Sequence, residues 1–256
     1  MRFESRNGSY TLALAVIWEK PFEQMIQTRK DEKITGKIAG QDFSDILFDE
    51  LLVTKTKILN TKFRNIHFKN SQLGNDSEYD HCEFIKCKFY GKYSTLGLRT
   101  KYTNCTFVDC EFIGVTLFEG SKFYECNFTW LIKNTIIQDC KAGLFSKKIA
   151  VFNACDLSGV IFDNLSLYGS CGLNNCILPK KGIRKFRNDN DTLIDKAFEI
   201  CSKIDSQDKI ESEIIFKREL KSGQNPIILD NLFLDSFFKT PESKRIFDII
   251  VDGFEI

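Results

Sequence analysis

A large apolar residue returns every five residues through the middle of this chain. From Ile38 the series runs through Phe43, Phe48, Val53, Ile58, Phe63, Phe68 and Leu73 without a slip. A period of five fits neither the two-residue alternation of a strand nor the 3.6-residue turn of a helix. The pattern resumes in Cys82-Glu83-Phe84 and Cys87-Lys88-Phe89, and again in Cys105-Thr106-Phe107, Cys110-Glu111-Phe112 and Val115-Thr116-Leu117. It slips by one at Ser121-Lys122-Phe123 and Cys126-Asn127-Phe128, then returns from Cys155-Asp156-Leu157 to Cys176-Ile177-Leu178. The small residue and the large anchor stand two apart, so in extended backbone both face the same way, and the polar residue between them faces water. Because five is odd, a straight strand cannot keep this inward phase, and the chain must bend between units. Repeated bends wind it into a solenoid whose turns are joined by parallel hydrogen bonds.

These triplets resemble the pentapeptide-repeat family, whose unit is a small residue, a polar residue, Leu or Phe, and two variable positions. Cys105-Thr106-Phe107-Val108-Asp109 and Cys155-Asp156-Leu157-Ser158-Gly159 match it. The resemblance covers residues 38–178 and implies an all-β solenoid, a right-handed quadrilateral parallel β-helix with four pentapeptides per coil. About seven coils at strand spacing would make a rod roughly 30–35 Å long. The register is broken at Gly74–His81, Gly91–Asn104 and Trp130–Phe152, where bulges, projecting loops or degenerate coils are expected.

The ends read differently. Residues 1–37 are expected to cap the first coil, with a strand over Tyr10–Trp18 and a short helix over Phe22–Lys30. After Pro179 the period becomes helical, and residues 179–256 are expected to form a small helical domain or dimerisation module. Its helices are expected over Asp191–Ile204, Lys209–Leu220, Pro226–Phe238 and from Pro241, with Thr240 as N-cap.

Composition narrows the function. The chain carries 36 basic and 35 acidic residues, and no segment reads as a polybasic arm or an acidic tail, so direct nucleic-acid binding is not expected. The apolar run Leu12–Trp18 is too short to span a bilayer. Nine of the ten cysteines lie within the repeats, mostly at small inward positions, which points to buried thiols in a cytoplasmic protein rather than a disulfide framework. No cofactor is expected: pairs such as Cys82/Cys87 lack zinc-knuckle spacing, and no P-loop, HExxH or GxSxG turn occurs. His81 beside Cys82 does not make a nucleophile pair, because neighbours on a strand face opposite ways. Polar residues from Lys181 to Asp195 read as an anion site or as junction salt bridges.

The chain therefore reads as a non-enzymatic protein-binding scaffold or regulator that presents a rigid β-helix to a macromolecular partner of unknown identity. Candidate contact residues are Asp42, Asp45, Asp49 and Glu50 on the first coils, and Phe247 and Phe254 in a possible homodimer interface. The family resemblance implies a narrower alternative, a dimeric DNA mimic that binds and protects DNA gyrase or topoisomerase IV. A second alternative is a secreted bacterial effector that binds host proteins.

Overall fold

The chain bends where single residues adopt positive φ. Asp45, Asn60, Asn65, Asn70, Lys86, Asn104, Asp109, Asn134 and Asn164 all lie between φ 47° and 58°, the left-handed region that Asn and Asp tolerate best among residues with a Cβ. Most of these residues end one short strand and turn the chain into the next, while Asp109 bends the longer strand Thr106–Ile113. Several of their amides then donate to the following coil: Asn60 to Asp80 O, Asn65 to Ile85 O, Asn70 to Tyr90 O and Asn104 to Tyr124 O, at 2.9–3.0 Å.

The computed structural model describes residues 27–115, 121–138, 140–141, 148–149, 151–169, 171–222 and 225–256. Four parallel walls follow one another along the chain. The first wall is seven strands deep, from Gln27–Lys30 through Ile46–Asp49, His67–Lys69, Lys88–Tyr90 and Thr106–Ile113 to Asn127–Lys133 and Asp156–Asp163. The second wall stacks Leu52, Gln72 and Thr95 by single bridges. The third stacks residues 36–39 and 56–59, the latter halves of the strands Lys33–Ala39 and Leu52–Leu59, with Glu78–Asp80, Lys101–Thr103, Lys122–Tyr124 and Phe152–Asn153. The fourth runs from Asp42–Ser44 through Lys62–Arg64 and Glu83–Ile85 to the longer strands shared with the first.

Inward anchors stack as ring columns at close to strand spacing. On the fourth wall Phe43, Phe63, Phe84, Phe107 and Phe128 have successive centroids 5.5, 4.7, 4.6 and 4.6 Å apart. Phe48, Phe68, Phe89 and Phe112 repeat this on the first wall, and Tyr79, Tyr102, Phe123 and Phe152 on the third. Such pairs add about 0.5–1.5 kcal/mol each beyond their buried area. The breaks in the sequence pattern also resolve. Ser77-Glu78-Tyr79 and Thr100-Lys101-Tyr102 are full units with tyrosine as anchor, and Tyr102 satisfies its hydroxyl on Leu96 O at 2.8 Å.

Coil length absorbs the slips. Leu47 pairs with His67, His67 with Lys88, Lys88 with Glu111 and Glu111 with Leu131, and the step from Lys88 to Glu111 is the longest of these. Its extra length reflects an insertion around Lys92 and Tyr93, where Tyr93 is 61% exposed. Beside it Gly97 has φ 103°, and a Cβ there would lie 2.4 Å from Gly74 O, so only glycine fits. The coil that carries Phe123 to its register partner Phe152 is longer still. Its additional residues lie between Gln138 and Val151, where Cys140–Lys141 and Lys148–Ile149 pair antiparallel.

Two expectations at the ends are corrected. Among the described residues the first strand of the solenoid is Gln27–Lys30, paired with Ile46–Asp49 where a helix was expected. The expected strand over Tyr10–Trp18 lies outside the described residues. At the other end the helices are α1 (Thr192–Lys203), α2 (Lys209–Ser222), α3 (Asn231–Phe237) and α4 (Pro241–Val251). Residues Ile227–Asp230, expected within a helix, form a strand antiparallel to Ile183–Phe186. A short, wholly buried apolar run does not distinguish strand from helix by periodicity.

That strand joins the two cores through its alternation. Ile227 and Leu229 belong to the helical core, and Ile228 belongs to the solenoid core. Asp230, 3% exposed, accepts from the solenoid amides of Asn164 (3.2 Å) and Leu165 (3.1 Å) and from the α3 amide of Phe233 (2.7 Å). One carboxylate thus caps a helix and binds the solenoid corner at Asn164 and Leu165.

Two outcomes follow from these constraints. Asn104→Val should lower the unfolding free energy by about 1–2 kcal/mol, because a β-branched residue resists the left-handed region, whereas Asn104→Gly should stay close to the parent in urea denaturation. Asp230→Ala should cost about 2–4 kcal/mol by removing a cap and leaving the buried Leu165 amide and the part-buried Asn164 amide without that acceptor. It should also make the segment after Pro179 the first released by limited proteolysis.

Candidate interaction surfaces

Outward side chains form columns, because residues in register on successive coils stand one strand spacing apart. Their charges are matched across coils. Arg64 meets Asp42 at 3.4 Å, Lys69 meets Asp49 at 3.1 Å, and Lys57 meets Glu78 at 3.1 Å. Lys62 meets Glu83 at 3.0 Å, Lys88 meets Glu111 at 3.3 Å, Arg99 meets Asp76 at 2.5 Å, and Lys133 meets Asp163 at 2.6 Å. Exposed pairs of this kind each contribute about 0.2–1 kcal/mol; their larger effect is to cancel surface potential.

The expected acidic group is divided by this arrangement. Asp42 lies on the fourth wall against Arg64, and Asp49 lies on the first wall against Lys69. Asp45 occupies the corner between those walls and accepts from Asn65 Nδ2 at 2.7 Å. Glu50 occupies the next corner, at φ 69°. In the helical region Phe247 is 1% exposed, with ring contacts to Phe216, Phe186 and Phe238. Phe254 is half-buried on the same core, with Lys196 Nζ 5.0 Å from its ring centre.

The nine described cysteines are free thiols. Cys82, Cys105, Cys126, Cys155 and Cys176 fall in one column of the fourth wall, immediately before residues paired in register. Cys87 and Cys110 stack on the first wall. Several donate to a carbonyl of the preceding coil: Cys82 to Ile58 O at 3.4 Å, Cys87 to Phe63 O at 3.3 Å and Cys110 to Phe84 O at 3.4 Å. Ser71 does the same toward Phe48 O at 3.4 Å. Hydrogen bonding to Cys105, followed by burial, pushes the Cys82 thiol well up, and burial does so for Cys110. Cys82 and Cys110 are thus core fillers held away from the nucleophilic thiolate form, whereas hydrogen bonding to Cys126 and then to Cys176 pulls the buried Cys155 thiol down.

The histidines are separate from these thiols. His81 faces outward, with Nδ1 2.9 Å from Asp80, while Cys82 is fully buried. His67 sits on the first wall, where burial and then Lys88 hold its imidazole below the usual value. Within the polar run after Lys181, Arg184 is committed to Asp248 at 2.7 Å and to Glu255 at 3.0 Å, and its guanidinium lies 5.1 Å from the Phe186 ring centre. Asp189 accepts from Asn225, and Asp191 from Asn188. Arg184, Asp189 and Asp191 of this run are thus engaged within the C-terminal region.

Among the described residues no group of three or more His, Cys, Asp or Glu is placed to hold a metal, and no helix is long and apolar enough to cross a membrane. The apolar space lined by Ile34, Ile38 and Phe43 has about 10 Å³, room for no more than about one water. A polar recess of about 430 Å³ lies between the third and fourth walls, lined by Asn60, Lys62, His81, Glu83, Asn104 and Thr106.

Sequence reading missed an apolar cluster on the first wall. Between Phe128 and Ile132 only three residues intervene instead of four, so the corner tightens and Trp130 takes φ 90° with 43% exposure. Leu131 is in register with Ile161, which is 47% exposed. The signal was the shortened interval itself, which places Trp130 in register with Cys110.

Native thiol titration should modify half-exposed Cys176 first, with Cys82, Cys105, Cys110, Cys126 and Cys155 reacting only on unfolding. Equal rates for all six would show that the columns are open to solvent.

No protein-family model and no curated protein matches the chain. Among solved structures, it is similar to two trypsin-treated variants of QnrB1, a plasmid-mediated fluoroquinolone resistance protein. One is 15% identical over 60% of this chain and 80% of that one, with a TM-score of 0.23; the other is 14% identical over 57% and 78%, with a TM-score of 0.22. It is also similar to HetL from the cyanobacterium Nostoc sp. strain PCC 7120, a pentapeptide repeat protein involved in heterocyst differentiation regulation. That match is 10% identical over 60% of this chain and 90% of that one, with a TM-score of 0.18. The five-residue anchor period, the left-handed corners and the parallel coil register observed in this chain define its fold as a pentapeptide-repeat-type β-solenoid with a C-terminal helical region.

Proposed function

We propose that this chain is a protein-binding scaffold that acts without chemistry of its own. The observation that carries this reading is the division of labour along each strand: anchors and thiols fill the core, while outward residues stand in rigid columns. A preordered surface loses little conformational entropy on binding. The Trp130, Leu131 and Ile161 cluster supplies an apolar contact on such a surface. Ile210 and Ile214, one turn apart on α2 and 42% and 50% exposed, offer a second contact or the face of a homodimer.

The narrower form of this reading is DNA mimicry toward DNA gyrase or topoisomerase IV, as the resemblance of the repeats implies. QnrB1 is named as a fluoroquinolone resistance protein, which makes protection against that drug class the assay to use. Cross-coil pairing of Asp42, Asp49, Asp76, Glu78, Glu83, Glu111 and Asp163 with cations breaks up any continuous acidic wall. This form would therefore depend on corners and insertions more than on the walls.

The test combines affinity capture by the reduced full-length chain with gyrase supercoiling in the presence of a fluoroquinolone. A reproducible protein partner is expected, and restored supercoiling would select the narrower form. A captured partner without protection would leave the scaffold reading and remove gyrase. Failure to capture from both source-cell and host-cell lysates would overturn the scaffold reading, including its host-effector form.

A further inference from the structure

The third wall departs from the charge matching seen elsewhere on the solenoid. Its outward column runs Lys37, Lys57, Glu78, Lys101 and Lys122, each in register with the next. The column spans about 19 Å at strand spacing. Only Lys57 has a carboxylate partner among the described residues, and that partner is Glu78. Lys101 extends over the Tyr124 ring, with Nζ 5.1 Å from its centre. The companion column on the same wall is Ala39, Leu59, Asp80, Thr103 and Tyr124. Four lysines against Glu78 and Asp80 leave the wall net +2. At the adjoining corners Lys55 and Glu125 offset each other, and Arg99 is neutralised by Asp76.

We propose that the third wall binds an acidic segment of a partner protein. This inference rests on the scaffold reading and names the chemistry of one contact. The wall is a flat, preordered sheet face whose charge is opposite to what it would receive, so binding gains long-range attraction with little ordering cost. An acidic polypeptide suits it better than nucleic acid. Glu78 and Asp80 interrupt the lysines halfway along, where a continuous phosphate track would meet carboxylates, whereas a peptide can place a neutral or basic residue there.

The test uses the full chain with fluorescein-labelled poly-L-glutamate and, in parallel, a labelled DNA duplex, both followed by anisotropy. Poly-L-glutamate should bind, and its affinity should fall as salt shortens the screening length to about 8 Å at physiological ionic strength. The double variant Lys101→Glu with Lys122→Glu should weaken it by about tenfold or more, each tenfold being about 1.4 kcal/mol. Lys86→Glu with Lys92→Glu changes net charge equally, but away from this wall, and should have less than about a twofold effect by the same conversion. Matching circular dichroism and melting curves establish that both variants fold. Equal losses in the two variants would overturn the proposal by reducing it to net charge, and duplex binding tighter than poly-L-glutamate would overturn the choice of partner. Capture of the same lysate partner at parental level by the Lys101/Lys122 variant would overturn the proposed wall contact and leave the scaffold reading intact.

Discussion

The left-handed corner every five residues is the constraint on which the rest of this structure depends. It turns an odd period, useless to a straight strand, into four walls whose anchors all point inward. It places the next coil one strand spacing above the last, so the rings at 4.6–5.8 Å and the thiol columns follow from the same geometry. Asn and Asp recur at these corners because positive φ strains them little. Their amides then donate to the next coil, tying local bend to long-range register.

The anchors were legible because their period has no competing explanation. Ile58, Phe63, Phe68 and Leu73 are all buried as their spacing implies. Tyr79 and Tyr102 were overlooked because Ser77 and Thr100 replaced the familiar cysteine, although the short insertions before them preserve their inward phase. The corner residues were legible too, in the recurrence of Asn60, Asn65 and Asn70, but anchors alone do not draw attention to them. Helix propensity identified the segments of α1, α2 and α4. It failed over Ile227–Asp230, where pairing with Ile183–Phe186 and burial between two cores outweighed local preference.

Surface properties were much less legible, for a physical reason. The neighbour of Asp49 is Lys69 and the neighbour of Lys88 is Glu111, each a full coil further along the chain, and the two coils differ in length. Small changes in coil length therefore decide which charges meet. A balanced composition conceals whether a wall is neutralised or left cationic, and the first and third walls illustrate both outcomes. Likewise Phe247, on α4, looks like an available aromatic until α2, Phe238 and the 183–186 strand enclose it. A solenoid thus separates two kinds of information: period specifies the interior, and coil length specifies the exterior.

Residue-resolved backbone NMR of the reduced protein, combining Cα and Cβ shifts with φ-sensitive couplings, probes the corner geometry most directly. Positive φ recurring at Asn60, Asn65, Asn70, Asn104, Asn134 and Asn164, with extended values at the anchors between them, is the expected pattern. Extended or right-handed helical values at those asparagines would contradict the four-walled winding and, with it, the columns from which the surfaces are built.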